Sequence, residues 1–403
     1  MTTPTRIGVT GATGQVGSRL LRHLRAGGFD VVAAVRNPLG AALCDAIAAD
    51  CDIRVGSLVP DEGQPHLLDD CDVIINCAIE SAGGIPRQAY TRNRALVDGL
   101  LKAKSLKWLV HFSTVAVYGE LITKAADELR ARRRPQPGSE YGRSKLFVER
   151  YASRKARVRG VRYTAIRLGH VYGAGIARSR EIIELAQTPG FELPFGGQLP
   201  SNAIHADNVG AAIVRLLKEG AEQEVYGLCE ASHTWRDVFD WHTACLGLPP
   251  VHDMPAADSA ARRESILRQS PVREAMAWLR GLPIKSLVRS PAMFDLALRT
   301  LVKTPASITK AVSDINRRTG ARGHIARANA VSDRDVAALY LSDGMPGPFL
   351  ELPPAAADGL GSDMERAREL REWHELWRRP RMRAATAAVV ASDSGATGSP
   401  TWR

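Results

Sequence analysis

A glycine-spaced turn ten residues into the chain constrains the fold more than any other feature. Thr10-Gly11-Ala12-Thr13-Gly14-Gln15-Val16-Gly17 follows a strand-like run, Arg6 to Thr10, and leads into helical spacing from Gln15 to Arg25. In such a turn Gly11 permits the tight reversal, Gly14 lets the backbone approach a pyrophosphate, and Gly17 lets the helix pack closely on the strand. The helix N-terminal amides around Thr13, Gln15 and Val16 then face the anion. Three spaced glycines can also make a merely tight turn. Their position between a strand and a helix, inside a βαβ unit, is the context that marks a dinucleotide cradle.

The residues that follow keep the alternation. Val31 to Val35, Ile53 to Val55, Val73 to Cys77, Trp108 to Phe112 and Tyr163 to Arg167 read as strands, and Leu39 to Ala49, Arg92 to Lys102 and Tyr141 to Ser153 as helices. Strands alternating with helices imply a parallel sheet covered on both faces, so the strands are apolar throughout. The predicted class is α/β: a doubly wound parallel sheet of Rossmann type with a smaller, mainly helical C-terminal lobe.

Composition narrows the setting. A chain of 403 residues with 45% hydrophobic and 24% charged residues can bury a core without disulfides or metals. No apolar run approaches the roughly 18 residues that span a bilayer, and the first residues carry no charged region followed by a long apolar one. The expectation is a cytoplasmic protein. The six cysteines form no CxxC and no metal-ligand spacing, so they read as packing residues and no metal site is expected.

Strand two ends at Val35-Arg36-Asn37-Pro38, where a dinucleotide fold meets the adenosine ribose. An acid there accepts from the 2′-hydroxyl, whereas an arginine pairs with a 2′-phosphate. Arg36 therefore points to NADP, with NAD the alternative if the arginine is only a solvated surface charge. Ser57, after the third strand, is expected near the adenine.

Further along, His111-Phe112-Ser113-Thr114 is followed by Val115-Ala116-Val117-Tyr118-Gly119, and then by Tyr141-Gly142-Arg143-Ser144-Lys145. On a helix Tyr141 and Lys145 are i and i+4 and share a face. A lysine beside the phenol stabilises tyrosinate and is expected to lower its pKa from about 10. Tyr141 can then exchange a proton with an alcohol or carbonyl while a nicotinamide exchanges hydride, and a hydroxyl at the end of strand five would hold the substrate oxygen.

These motifs, with RLGHVYG (167–173) and IHADNVG (204–210), resemble the extended short-chain dehydrogenase/reductases, the NAD(P)-dependent epimerase/dehydratase group, over about residues 5 to 246. The resemblance implies Thr114 as catalytic hydroxyl, Tyr141 as acid/base and Lys145 as its electrostatic partner. It places Asn93 at the family's helix asparagine, Ala78 in the cofactor-side loop after strand four, and Leu168 and Val171 beside the nicotinamide. It also implies a small-molecule substrate such as a nucleotide-linked sugar, handled by a reductase or an epimerase, and allows a homodimer. The chain departs from the pattern at Ser57, where the family commonly has aspartate, and at Leu168, a frequent proline. Val115-Ala116 stands where 4,6-dehydratases carry an Asp-Glu pair, so dehydration is not expected. The alternative is a catalytically silent NAD(P)-binding sensor or scaffold.

The resemblance also frames the domain organisation. Residues 1–175 form the cofactor domain and 176–383 the substrate lobe, with a return to the core around 203–230 and a disordered tail over 384–403. The stretch 255–330 holds 14 Lys and Arg against 5 Asp and Glu, most of the chain's net charge of +11. It reads as a helical insertion. Its basic and apolar residues suit either packing on the core or peripheral docking on an anionic membrane, where a lipid-linked sugar would be met. No nucleic-acid-binding module is recognisable. A terminal helix, about Asp363 to Trp377, carries Met364, Leu370, Trp373 and Trp377.

Overall fold

The computed structural model describes residues 6–48, 50–61, 64–78, 86–118, 135, 137, 140–230, 233–268, 339, 349, 350, 352 and 364–378. In chain order its strands are β1 (Arg6–Thr10), β2 (Asp30–Val35), β3 (Asp52–Val55), β4 (Val73–Asn76), β5 (Trp108–Thr114), β6 (Arg162–Leu168), β7 (His170–Tyr172), β8 (Glu192–Leu193), β9 (Ala203–His205), β10 (Val225–Leu228) and β11 (His252–Asp253). Seven of them make one sheet in the order β10-β6-β5-β4-β1-β2-β3, every pairing parallel. The order reverses between β1 and β4, the point at which a doubly wound sheet opens a crevice at its carboxyl edge.

Both faces are covered, as apolar strands require. Helices α1 (Gln15–Ala26) and α2 (Pro38–Ile47) lie on one face, and α3 (Pro86–Leu100) and α4 (Glu140–Val158) on the other. Alternation along β5 assigns its side chains: Trp108, Val110 and Phe112 join the α1 side, while Leu109 joins the α3/α4 side. The helix bounds have local causes. Asn37 caps α2 by accepting from the Gly40 amide at 2.9 Å, and Pro38 fills its first position. Helix α3 starts at Pro86, earlier than the expected Arg92, on a proline suited to a first turn. Helix α4 runs past Ser153 because Ala156 is also buried against the sheet.

After β6 the chain builds α5 (Ala177–Ala186), returns to the sheet through α6 (Ala206–Glu219) and β10, and adds α7 (Trp235–Leu246), α8 (Ala256–Arg268) and α9 (Met364–Arg378). Helix α7 opens with a capping box between Thr234 and Asp237 and stops at Gly247 in the left-handed region. A second core gathers Tyr172, Ile183, Trp235, Phe239 and Leu370. Through Leu370, fully buried, the terminal helix joins that core, and burial of such a side chain contributes about 1.5–3 kcal/mol. Polar contacts tie α9 to the other face as well. Arg19 on α1 donates to Glu369 at 2.6 Å and to the Ala174 carbonyl at 3.1 Å, and Arg366 donates to Asn208 at 2.8 Å.

All six cysteines are unpaired thiols, five of them buried. Among the described residues no helix is long and apolar enough to cross a membrane. Most of the basic stretch 255–330, from 269 onward, and the whole tail 384–403 lie outside the described residues.

Candidate active site

Register brings the functional positions to one rim. Thr10 pairs with Asn76, Asn76 with His111, and Thr114 with Leu168, so the carboxyl ends of β1, β4, β5 and β6 lie side by side. At β1 the glycine turn closes with the Gly14 amide donating to the Gly11 carbonyl at 2.9 Å. Gly11 has φ +64°, and a Cβ there would stand 2.8 Å from the Ala78 amide nitrogen. A Cβ on Gly17 would collide with the Gly11 carbonyl oxygen. Gly14 caps α1 without a side-chain acceptor, and no acid occupies the first turn. This close-packed cradle, with helix amides uncommitted to any side-chain cap, fits the diphosphate of a dinucleotide.

The other expected cofactor contacts are distributed along the same rim. Arg36 is exposed just beyond β2, and Ala78 lies beside the turn, its amide donating to the Thr10 hydroxyl at 3.4 Å. Ser57 is exposed, but its hydroxyl closes a local turn with the Val59 amide and carbonyl. Asn93 is buried on α3, Leu168 is buried at the end of β6, and Val171 is half-buried in β7.

Thr114, Tyr141 and Lys145 converge where α4 begins. Gly142 allows this approach, since a side chain there would strike the Ala116 carbonyl. The Thr114 hydroxyl lies near the Tyr141 phenol, close enough to favour its ionised form, and accepts from the Ala116 amide at 3.3 Å. Lys145 is 6% exposed; its ammonium donates to the Phe112 carbonyl at 3.0 Å and stands 6.0 Å from the centre of the Tyr141 ring. Desolvation lowers the lysine to about 8, opposed by the Cys77 and Glu149 charges.

The phenol differs from the sequence expectation. The residue is 48% exposed, yet its pKa is raised, because desolvation of the hydroxyl outweighs the influence of the neighbouring Thr114 hydroxyl. Lys145 is held against the β5 backbone and does not overcome that burial.

Five further polar groups lie at this corner to which the sequence motifs assign no role: Glu149, Arg167, Tyr118, His111 and Cys77. Glu149, one turn beyond Lys145, takes two hydrogen bonds from Arg167, at 2.5 and 3.1 Å, and Arg167 also donates to the Tyr118 hydroxyl at 2.7 Å. All three side chains are buried. Tyr141, Lys145 and Glu149 do repeat at i, i+4 and i+8, a signal present in the sequence; the partner across the sheet is not. His111 is buried on β5, where burial drives its pKa to about 3. Cys77 follows β4, and desolvation lifts its thiol to about 12 despite Lys145.

A doubly wound sheet with a glycine cradle at its switch point and a Thr-Tyr-Lys corner on the adjoining strand and helix defines the short-chain dehydrogenase/reductase class. Within it the chain belongs to the NAD dependent epimerase/dehydratase family, which it matches over residues 7–229. It is 29% identical over 231 residues to a probable low-salt glycan biosynthesis reductase of Haloferax volcanii, covering 53% of this chain and 70% of the relative. It is also 29% identical over 273 residues to the 2'-dehydrokanamycin reductase of Streptomyces kanamyceticus, covering 64% and 72%. Among solved structures, UDP-glucose 4-epimerase of Thermotoga maritima superposes with a TM-score of 0.49 at 21% identity, covering 62% of this chain and 86% of that one.

Proposed function

We propose that the protein is an NADPH-dependent reductase of a sugar ketone or aldehyde, the sugar being nucleotide-linked or otherwise glycosidically substituted. The observation that carries the reading is the buried Lys145 ammonium, held on the Phe112 carbonyl at 3.0 Å and 6.0 Å from the ring centre of Tyr141 one helical turn before it, beside Thr114. Residues 1–175 hold the cofactor and 176–383 form the substrate lobe, apart from the return to the core around 203–230.

When bound in the cradle of Gly11, Gly14 and Gly17, the nicotinamide dinucleotide supplies the hydride. The chain's own residues manage the oxygen. The Thr114 hydroxyl and the Tyr141 phenol hold the substrate carbonyl at the end of β5. Tyr141 then gives its proton to the oxygen as negative charge develops there. A phenol of raised pKa is protonated at neutral pH, the state a proton donor needs. The nearby Lys145 ammonium stabilises the tyrosinate left behind. Arg36 at the end of β2 supports a preference for the 2′-phosphate, and the reductase names of the two relatives support the direction.

Dehydration is disfavoured by the turn after Thr114. Val115 and Ala116 present apolar side chains where elimination would need an acid and a base.

The test is native mass spectrometry of the purified protein for retained cofactor, followed by NADPH oxidation against a panel of keto- and aldehydo-sugars. Arg36→Ala should cost roughly tenfold to a hundredfold in NADPH affinity and leave NADH unchanged. Equal wild-type affinity for the two dinucleotides would remove the NADPH assignment, and epimerisation without net cofactor oxidation would replace the reductase by an epimerase.

A further inference from the structure

On the side of the sheet facing α3 and α4, several buried polar atoms remain that the proposed chemistry does not use. His111 Nε2, Ser113 Oγ, Ser144 Oγ and the Tyr163 hydroxyl have no hydrogen-bond partner among the described residues. His111 and Ser113 alternate onto the same face of β5, and the Tyr163 ring stacks on His111 with centroids 6.5 Å apart. Ser144 immediately precedes Lys145, whose ammonium bonds the carbonyl of Phe112, between His111 and Ser113. Buried polar side chains rarely stay unpaired, and an ordered water is their usual partner where no protein group serves.

The hydrogen bonds on the far side of the imidazole fix its proton. The Thr10 hydroxyl donates to Asn76 Oδ1 at 2.7 Å, which leaves the amide nitrogen of Asn76 to donate to His111 Nδ1 at 3.1 Å. His111 Nδ1 is then the acceptor, and the ring proton sits on Nε2, among the unpaired atoms. Thr10, Asn76 and His111 are each at most 1% exposed, so nothing in solvent competes for this arrangement.

We infer that the His111 Nε2–H donates to a buried water that also accepts a hydrogen bond from the Lys145 ammonium, which makes His111 a positioning residue for the lysine. The inference rests on the reading of Tyr141 and Lys145 given above. The charged and titratable groups facing Lys145 are Cys77 from the loop after β4, His111 from β5, and Tyr141 and Glu149 from its own helix. Arg167 from β6 neutralises Glu149. Of these His111 stays neutral above about pH 3, so it acts through a fixed hydrogen bond rather than through its own titration. A bound water gives the ammonium an acceptor that desolvation otherwise denies it, and its loss should lower the lysine pKa further.

The experiment compares wild type, His111→Phe and His111→Gln in two ways. One is the pH profile of kcat/KM with NADPH and the substrate found in the screen. The other is the titration of Lys145 followed by NMR of protein labelled with 13C at lysine Cε, the signal assigned by its loss in Lys145→Met. Phenylalanine fills the slot without an N–H, and glutamine restores a donor. His111→Phe should move both the basic limb of the profile and the Lys145 titration to lower pH by roughly half a unit or more. His111→Gln should return both towards wild type. If both variants leave the Lys145 titration in place and only lower the melting temperature, His111 is a packing residue and the inference is overturned. The NMR titration needs no turnover, so an active Tyr141→Phe would refute the proposed chemistry while the Lys145 shift still judged His111.

Discussion

At the phosphate turn the working groups are main-chain amides, whereas at the Tyr141 corner they are side chains drawn from β5, β6 and α4. The turn is shaped by the absence of side chains: Gly11 passes against Ala78, and Gly17 packs on the Gly11 carbonyl. In the corner Lys145 and His111 are buried and burial lowers the pKa of both, while Tyr141, between them and solvent, is 48% exposed. A site built from backbone is specified by steric permission. One built from side chains depends on desolvation by residues distant in sequence.

The sharpest way to separate the two is to disable one and measure the other. Tyr141→Phe keeps the ring and removes the transferable proton, so turnover should fall by about 10²–10⁴ while calorimetric cofactor affinity holds. Near-normal turnover would end the acid/base assignment. The next largest effect belongs to Glu149→Ala, which leaves the Arg167 guanidinium buried without its carboxylate. Denaturant unfolding should show a loss of about 3–5 kcal/mol, and a loss below about 1 kcal/mol would mean that Arg167 finds water or another partner.

Lys145 gives a pH test of the same burial. Its folded pKa, about 8, lies below the ordinary lysine value of 10.5. Between those values the unfolded chain holds a proton that the folded protein has released, so this group makes stability rise with pH across that window. Its penalty is fully present below pH 8 and gone above 10.5, a contribution of roughly 3 kcal/mol. Lys145→Met should flatten that part of the stability profile, and an unchanged slope would show that the lysine is better solvated than its 6% exposure implies.

The smallest effect tests the turn itself. Gly17→Ala pushes a methyl against the Gly11 carbonyl, a strain of about 1–3 kcal/mol. It should weaken dinucleotide binding while the saturated enzyme keeps its kcat. A fall in kcat with unchanged binding would mean that turn and corner are not independent.

The same contrast explains which parts of the molecule are legible in the sequence. The turn is legible because a glycine spacing between a strand and a helix is a local pattern. The parallel sheet follows from alternation, and the Tyr141–Lys145 pair from one helical period. Glu149 continues that period, but its significance depends on Arg167, 18 positions away on a strand of the sheet. His111 sits in a strand covered on both faces, where every position reads as core and a polar one has no pattern to set it apart. The raised phenol pKa is hidden for a related reason: proximity of Lys145 can be read from spacing, and desolvation cannot.

The contact of Arg19 with Glu369 joins residues 350 positions apart, between the helix that follows the glycine turn and the terminal helix. Closing so long a loop requires an entropic cost to be met before the contact gives anything back, which makes such contacts late events in folding. During synthesis the sheet has all its strands once β10 has emerged, well before Glu369 leaves the ribosome. Until then α1 is held by its packing on α6 and by the contacts of Arg19 with the Ala174 carbonyl and Asp207. Docking of α9 then adds the Glu369 carboxylate to Arg19 and seats Leu370 in the second core, so the last described helix joins the two halves of the molecule.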